Sequence, residues 1–290
     1  LEQYISGIIL FDETIRQHTI PSKGDLLTTI PFPKYLEKKG ILTGIKVDTG
    51  AKDLAGKKEE KITEGLDNLR TRLIEYRNLG ASFTKWRAVI KINNNLLPSI
   101  TCIHANAHAL ARYASLCQEN DLVPIVEPEI IMDGDHDINK CYEVTKNVLK
   151  IVFEQLSLFD VYLEGIVLKP NMVICGKDCE KSCSDDIKKV VDLTLKCLNE
   201  SVPKEVPGIA FLSGGQTETE ATKNLDTINK LNKSKFIMTY SYGRALQQSA
   251  LKYWSKNTND VSGTQKIFNH RAKMCSMASL GKWTEQIEKA

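Results

Sequence analysis

No apolar segment of this 290-residue chain approaches the ~20 residues that a helical bilayer crossing needs, and no basic and then apolar leader stands at its start. Neither a membrane partner nor secretion is expected. Charge of one sign is also scarce, since 39 Lys and Arg against 36 Asp and Glu leave a formal net charge of +3. That excess is too small for a polyanion-binding surface, so the expected partner is an anionic small molecule and not nucleic acid. The eight cysteines contain no CxxC pair and are far too sparse for a disulfide-stapled scaffold. A cytoplasmic, reducing setting is expected. Two further motifs are missing: a GxGxxG turn, which a dinucleotide-binding doubly wound sheet would carry, and an HExxH zinc helix.

What is present is an ordinary globular composition, 42% hydrophobic and 26% charged, enough to bury a sizeable core. Short apolar runs recur at 5–11, 41–48, 81–90, 122–130, 161–169, 207–213 and 235–241. Each is apolar on both faces, as parallel strands covered by helices must be. Helical periodicity fills the gaps. Thr63–Leu79 places Leu66, Leu69, Leu73 and Ile74 on one face with Gly80 as a stop, and further helices are expected over 104–118, 139–156, 185–198 and 217–231.

A repeated βα alternation fits either a doubly wound sheet or an eight-stranded barrel, and the strand ends separate the two. In a barrel the C-terminal ends of all strands converge on one mouth, which is where polar groups should accumulate. They do so here: Lys46 and Asp48, Lys85 and Arg87, Glu127 and Glu129, Lys169, Ser213-Gly214-Gly215, and Ser241-Tyr242-Gly243-Arg244 each end an apolar run. A single such residue is commonly a snorkelling or solvated charge; six successive strand ends make a site. The expected fold is therefore α/β, a parallel (β/α)8 TIM barrel forming one catalytic domain over 1–290.

These stretches also carry a resemblance. GIKVD (44–48), KWR (85–87), VPIVEPEI (123–130), LEGIVLKPN (163–171), FLSGGQ (211–216) and SYGRALQ (241–247) resemble the class I, Schiff-base fructose-1,6-bisphosphate aldolases, in order and over essentially the whole chain. The resemblance implies a metal-free, cofactor-free lyase that reversibly cleaves fructose 1,6-bisphosphate to dihydroxyacetone phosphate and glyceraldehyde 3-phosphate, working as a homotetramer. It implies that Lys169 forms the Schiff base and that Glu127 is the acid/base, with Lys85 and Glu129 supporting them. A lysine must attack as the free amine, so burial and a neighbouring cation such as Lys85 suit the role.

The substrate has two dianionic ends. Ser213, Gly214, Gly215, Ser241, Gly243 and Arg244, after the last two strands, are candidates for one phosphate, because barrel loops there commonly bind phosphate through backbone N–H groups. Lys46, Asp48 and Arg87 are candidates for the other end or for the sugar hydroxyls. Related readings are a Schiff-base barrel enzyme for another phosphorylated sugar, a metal-dependent aldolase and a non-catalytic scaffold.

Three other groupings are weaker. His104 and His108 have zinc-helix spacing but lie between strands; Cys175, Cys179 and Cys183 recur every four residues without a fourth ligand. Asp133–Asp137 begins like a calcium loop, yet its sixth position is Ile138 and its twelfth Val144. Two expectations concern the termini. Seven strands leave an eight-stranded barrel one short, so a βα unit of about 40 residues carrying a further acid is expected before Leu1. The family's terminal tyrosine has no counterpart after GKW (281–283).

Overall fold

The computed structural model describes residues 1–20, 29–93, 96–180 and 186–289. The chain runs β1 (Gly7–Leu10), α1 (Asp12–Ile15), α2 (Phe32–Lys38), β2 (Leu42–Lys46), β3 (Gly50–Asp53), β4 (Lys61–Glu64) and α3 (Leu69–Asn78). It continues through β5 (Phe83–Ile90), α4 (Ile100–Glu119), β6 (Val123–Ile130), α5 (Ile138–Leu158), β7 (Val167–Leu168) and α6 (Ile187–Ser201). The last elements are β8 (Gly208–Phe211), α7 (Glu218–Leu231), β9 (Ile237–Tyr240), α8 (Arg244–Trp254), α9 (Val261–Ser279) and α10 (Glu285–Lys289).

Seven strands form one parallel sheet in the order β1-β2-β5-β6-β7-β8-β9, while β3 and β4 form a separate antiparallel hairpin. The strands follow sequence order, with helices returning between them. The sheet curls, and the Tyr240 hydroxyl on β9 donates to the Tyr4 carbonyl just before β1 at 2.8 Å. This is a TIM-barrel-like α/β fold.

Residue parity assigns the two faces of the sheet. Trp86 stacks on Tyr113 of α4 with ring centroids 5.5 Å apart, and Thr84 hydrogen-bonds the same Tyr113 hydroxyl at 2.7 Å, so the even positions of β5 face the helices. Phe83, Lys85 and Arg87 therefore face inward. Phe83 floors the interior: a Cβ on Gly44 would meet its ring at 2.2 Å, so the strand must be bare there. Helix starts are capped in the ordinary way, with Ser99, Asp137 and Asp186 accepting from backbone N–H groups of α4, α5 and α6, and Thr217 with Glu220 forming a capping box on α7.

Two expected elements differ. The helix expected over Thr63–Leu79 is shortened, because Lys61–Glu64 pair as β4 and Gly65 then turns at φ +127. Only Leu69–Asn78 is helical; Leu73 and Tyr76 are buried, whereas Ile74 faces outward at 49% exposure. The run 161–169 is a 3-10 turn at Leu163–Gly165 followed by a two-residue strand. Helices α1, α2, α8, α9 and α10 and the hairpin have no counterpart among the expected elements.

Candidate active site

Register carries the inward face from strand to strand. Lys46 pairs with Lys85, Lys85 with Ile125, Arg87 with Glu127, and Ile125 with Val167. Paired residues of parallel strands point the same way, and alternate residues along each strand share a face. Lys46, Asp48, Lys85, Arg87, Glu127, Glu129 and Lys169 thus share the interior: Lys46 ends β2, Asp48 and Lys169 follow β2 and β7, and Lys85, Arg87, Glu127 and Glu129, expected to end their strands, lie within β5 and β6, which run on to Ile90 and Ile130. Lys169 continues the ladder: its N–H donates to the Val126 carbonyl at 2.8 Å.

Four of these side chains form an alternating row. Asp48 Oδ2 lies 3.6 Å from Lys85 Nζ, Lys85 Nζ 3.4 Å from Glu127 Oε2, and Glu127 Oε1 3.0 Å from Lys169 Nζ. All four residues are buried, at 3–8% exposure. Burial on that scale is tolerated because each charge has an opposite neighbour. The contacts are not equivalent. Glu127 Oε2 accepts no hydrogen bond even though Lys85 sits beside it, so that contact is electrostatic and one lone-pair site remains open. Burial pushes the Lys169 amine below its ordinary value; Glu127 opposes the shift and the Lys85 cation adds to it.

Flanking pairs hold the row in place. Lys46 Nζ lies 2.6 Å from Asp48 Oδ1 and donates to the Asp48 carbonyl at 2.8 Å, while the Arg87 N–H donates to Asp48 Oδ2 at 3.3 Å. Glu129 pairs with the Arg87 guanidinium, which remains 42% exposed. The β3–β4 hairpin closes over this side: Thr63 Oγ1 donates to the Arg87 carbonyl at 2.7 Å.

The two glycine-containing turns meet at the same end of the sheet. The Leu212 N–H donates to the carbonyl of Pro170, the residue after Lys169, at 3.1 Å, and the Ser241 N–H donates to the Phe211 carbonyl at 2.9 Å. Arg244, the first residue of α8, donates through Nη2 to the Gly214 carbonyl at 2.7 Å. Ser213-Gly214-Gly215 and Gly243-Arg244 are therefore neighbours. Their exposed backbone and the outward Arg244 can receive an anion, whereas the buried row can exchange protons with a group carried by that anion.

Every residue that the sequence placed at a strand end lies at this end of the fold. Several supporting residues went unassigned although they stand inside the same motifs. Gln216 is buried, donates to the Ser213 carbonyl at 3.1 Å and accepts from Asn224 at 2.7 Å, bracing the first turn. The Tyr242 hydroxyl donates to the Ala221 carbonyl at 3.0 Å and braces the second against α7. Their signal was their place in FLSGGQ and SYGRALQ, but nothing in a sequence gives their partners.

The weaker groupings lie elsewhere. His104 and His108 are on α4, with His108 edge-on to Phe159. Asp137 caps α5 and Asp133 pairs with Lys177. Cys175 and Cys179 lie in the loop after β7, and Cys183 is outside the described residues. Among the described residues no group of three or more His, Cys, Asp or Glu is arranged to hold a metal ion.

Similarity to known proteins extends over nearly the whole chain. The family model described as fructose-bisphosphate aldolase class-I matches residues 1–290. A probable fructose-bisphosphate aldolase class 1 of Xanthomonas campestris is 54% identical over 284 residues, covering 98% of this chain and 82% of that protein. The cytosolic fructose-bisphosphate aldolase 4 of Arabidopsis thaliana is 50% identical over 280 residues, covering 96% of this chain and 69% of the relative. Among solved structures, the Plasmodium falciparum aldolase, crystallised with TRAP and a small-molecule inhibitor, superposes with a TM-score of 0.90 at 44% identity, covering 98% of this chain and 79% of that one.

Proposed function

The chain belongs to the class-I fructose-bisphosphate aldolases, and from that membership we propose that Lys169 is its Schiff-base nucleophile and Glu127 its proton carrier. The reaction is the reversible cleavage of fructose 1,6-bisphosphate to dihydroxyacetone phosphate and glyceraldehyde 3-phosphate. The observation that carries the residue assignment is the buried Lys169 amine, held below its ordinary pKa and 3.0 Å from Glu127 Oε1.

The pair shares one proton. With that proton on Glu127, the Lys169 amine adds to the C2 carbonyl, whose oxygen becomes the carbinolamine hydroxyl. Glu127 then protonates this hydroxyl, water leaves, and a protonated iminium forms with Glu127 as carboxylate. The carboxylate takes the C4 hydroxyl proton; C4 becomes the aldehyde carbon, the C3–C4 bond breaks, and its electron pair passes into the iminium to give an enamine. Glyceraldehyde 3-phosphate departs. Glu127 returns its proton at C3, and the water that adds to the regenerated iminium replaces the one lost earlier, releasing dihydroxyacetone phosphate and the free amine. Lys85 keeps the amine available and Glu129 orients Arg87.

In this reading the C1 phosphate lies over the turns holding Ser213, Gly214, Gly215, Ser241, Gly243 and Arg244, since β8 and β9 follow the strand of Lys169 and C1 adjoins the reacting C2. Lys46, Asp48 and Arg87, on the opposite side of the row, serve the C6 end. The whole chain acts as one catalytic domain, in the cytoplasm and as a homotetramer, both by analogy with its family. Borohydride reduction with dihydroxyacetone phosphate tests the central claim. A stable three-carbon label should map to the Lys169 peptide, and a label on Lys85 or Lys46, or none, overturns the assignment.

A further inference from the structure

The two strands that carry the reacting pair are poorly tied to each other. β6 and β7 share only the pairs Ile125 with Val167 and Val126 with Leu168, and their ladder ends at the bond from the Lys169 N–H to Val126. Beyond that point β6 runs on through Glu127 and Glu129 to Ile130. The ladder cannot continue there, because its next bond would run from the N–H of residue 128 to the Lys169 carbonyl and Pro128 has no N–H to give, while Pro170 is turned to the other side, its carbonyl accepting from Leu212 of the next strand. The 3.0 Å separation of Lys169 and Glu127 lies in this unladdered stretch.

Asn171 spans the gap. Its Oδ1 accepts from the Ile130 N–H at 3.1 Å, 41 residues away in sequence. Its Nδ2 donates to the Met172 carbonyl at 3.0 Å and to Thr145 Oγ1 on α5 at 3.3 Å. A backbone donor on one side and a backbone acceptor on the other fix the orientation of the amide. Asn171 and Thr145 are both buried, so no water can take over these bonds cheaply.

We propose that Asn171 is a positioning residue for the aldol reaction, its side-chain bond to the Ile130 N–H standing in for the missing ladder and fixing Glu127 against Lys169. This rests on the assignment of those two residues above. An amide side chain of this length is needed: alanine has no acceptor, and serine places its oxygen one bond short of Ile130. Without the tie, β6 can slide relative to Lys169, and proton transfer is steeply sensitive to such displacement.

The test compares Asn171→Ala, Asn171→Ser and Thr145→Val, each normalised to reactive sites counted by exhaustive borohydride trapping with dihydroxyacetone phosphate. Normalisation removes any fraction of the sample that fails to fold, and the serine variant serves if the alanine variant yields no protein. Both Asn171 variants should lose about 10- to 100-fold in kcat per labelled site, with KM for fructose 1,6-bisphosphate within about threefold of wild type. Thr145→Val removes a neighbour of the same amide while sparing the bond to Ile130, and should keep wild-type kcat per site even as its melting temperature falls. Unchanged kcat per site in the Asn171 variants, or an equal loss in Thr145→Val, overturns the inference while leaving Lys169 labelled. A wild-type label on another lysine overturns the underlying assignment instead.

Discussion

Arg244→Ala should raise KM for fructose 1,6-bisphosphate by about 10- to 30-fold and leave kcat within about twofold. The size follows from the setting. Charge-assisted hydrogen bonds contribute roughly 1.5–3 kcal/mol, and the exposure of Arg244 argues for the low end, about 1.5–2 kcal/mol, at about 1.4 kcal/mol per tenfold. The direction follows from geometry, since Arg244 binds the Gly214 carbonyl and lies outside the buried row to which proton transfer is assigned in the proposal above. Steady-state cleavage of two substrates sharpens the test. If the β8 and β9 turns hold the phosphate next to C2, fructose 1-phosphate must lose affinity by the same factor as the bisphosphate. Lys46→Met, on the far side of the row, should weaken the bisphosphate alone. The Arg244 effect should also shrink with added salt, because an exposed pair is screened over about 8 Å at physiological ionic strength. Equal KM in the variant and the wild type, or a fall in kcat in place of a rise in KM, would refute the assignment of Arg244 to substrate phosphate.

Glu127→Gln should lower kcat by about 10²- to 10⁴-fold with KM little changed, because the lost function is a proton in flight; stopped-flow release of glyceraldehyde 3-phosphate reads it, and a variant with wild-type kcat removes Glu127 from the mechanism. Lys85→Met should move the acid limb of the kcat/KM profile to higher pH. The sign is fixed by charge: Lys85 helps hold the Lys169 amine below its ordinary value, so deleting that cation favours protonated Lys169 and more alkaline solution is needed to free the amine. A limb that stays in place or moves to lower pH is incompatible with that role.

The strand ends were legible because a barrel leaves a simple trace, an apolar run that stops at a charge. Lys46, Lys85, Glu127 and Lys169 all face inward; Lys46 and Lys169 stand at the ends of β2 and β7, whereas Lys85 and Glu127 lie within β5 and β6, which extend past them. Length was less legible. LEGIVLKPN reads as a continuous strand because its apolar residues are contiguous, yet Leu163–Gly165 turn as a 3-10 segment and only Val167 and Leu168 pair. Thr63–Leu79 misleads for a related reason. Period 3.6 continues through Leu66, but the backbone hydrogen bonds of Lys61–Glu64 are taken by β3, and tertiary pairing overrides local preference. Asn171, Gln216 and Tyr242 were invisible as positioning groups because their partners, Ile130, Asn224 and Ala221, are set by packing and not by spacing.

The order of charges along the mouth explains why Lys169, and not Lys85, suits nucleophilic work. Both lysines are buried to the same degree, at 8% exposure, so burial alone does not distinguish them. Their neighbours do. Lys85 stands between two carboxylates, with Asp48 Oδ2 at 3.6 Å and Glu127 Oε2 at 3.4 Å, whereas Lys169 ends the row with Glu127 alone. On its other side the pairing of Leu168 with Ile209 brings Ala210 level with Lys169, and Ala210 and Leu212 offer apolar surface where a further carboxylate would have held the ammonium. A lysine inside the row has a carboxylate on either side; a lysine at its end has one, and the cation behind it lowers its pKa further. The same alternation that makes seven buried or half-buried charges tolerable in one mouth therefore leaves, at its last position, an amine with one contacting carboxylate and a lowered pKa, the setting that the proposed attack on a carbonyl needs.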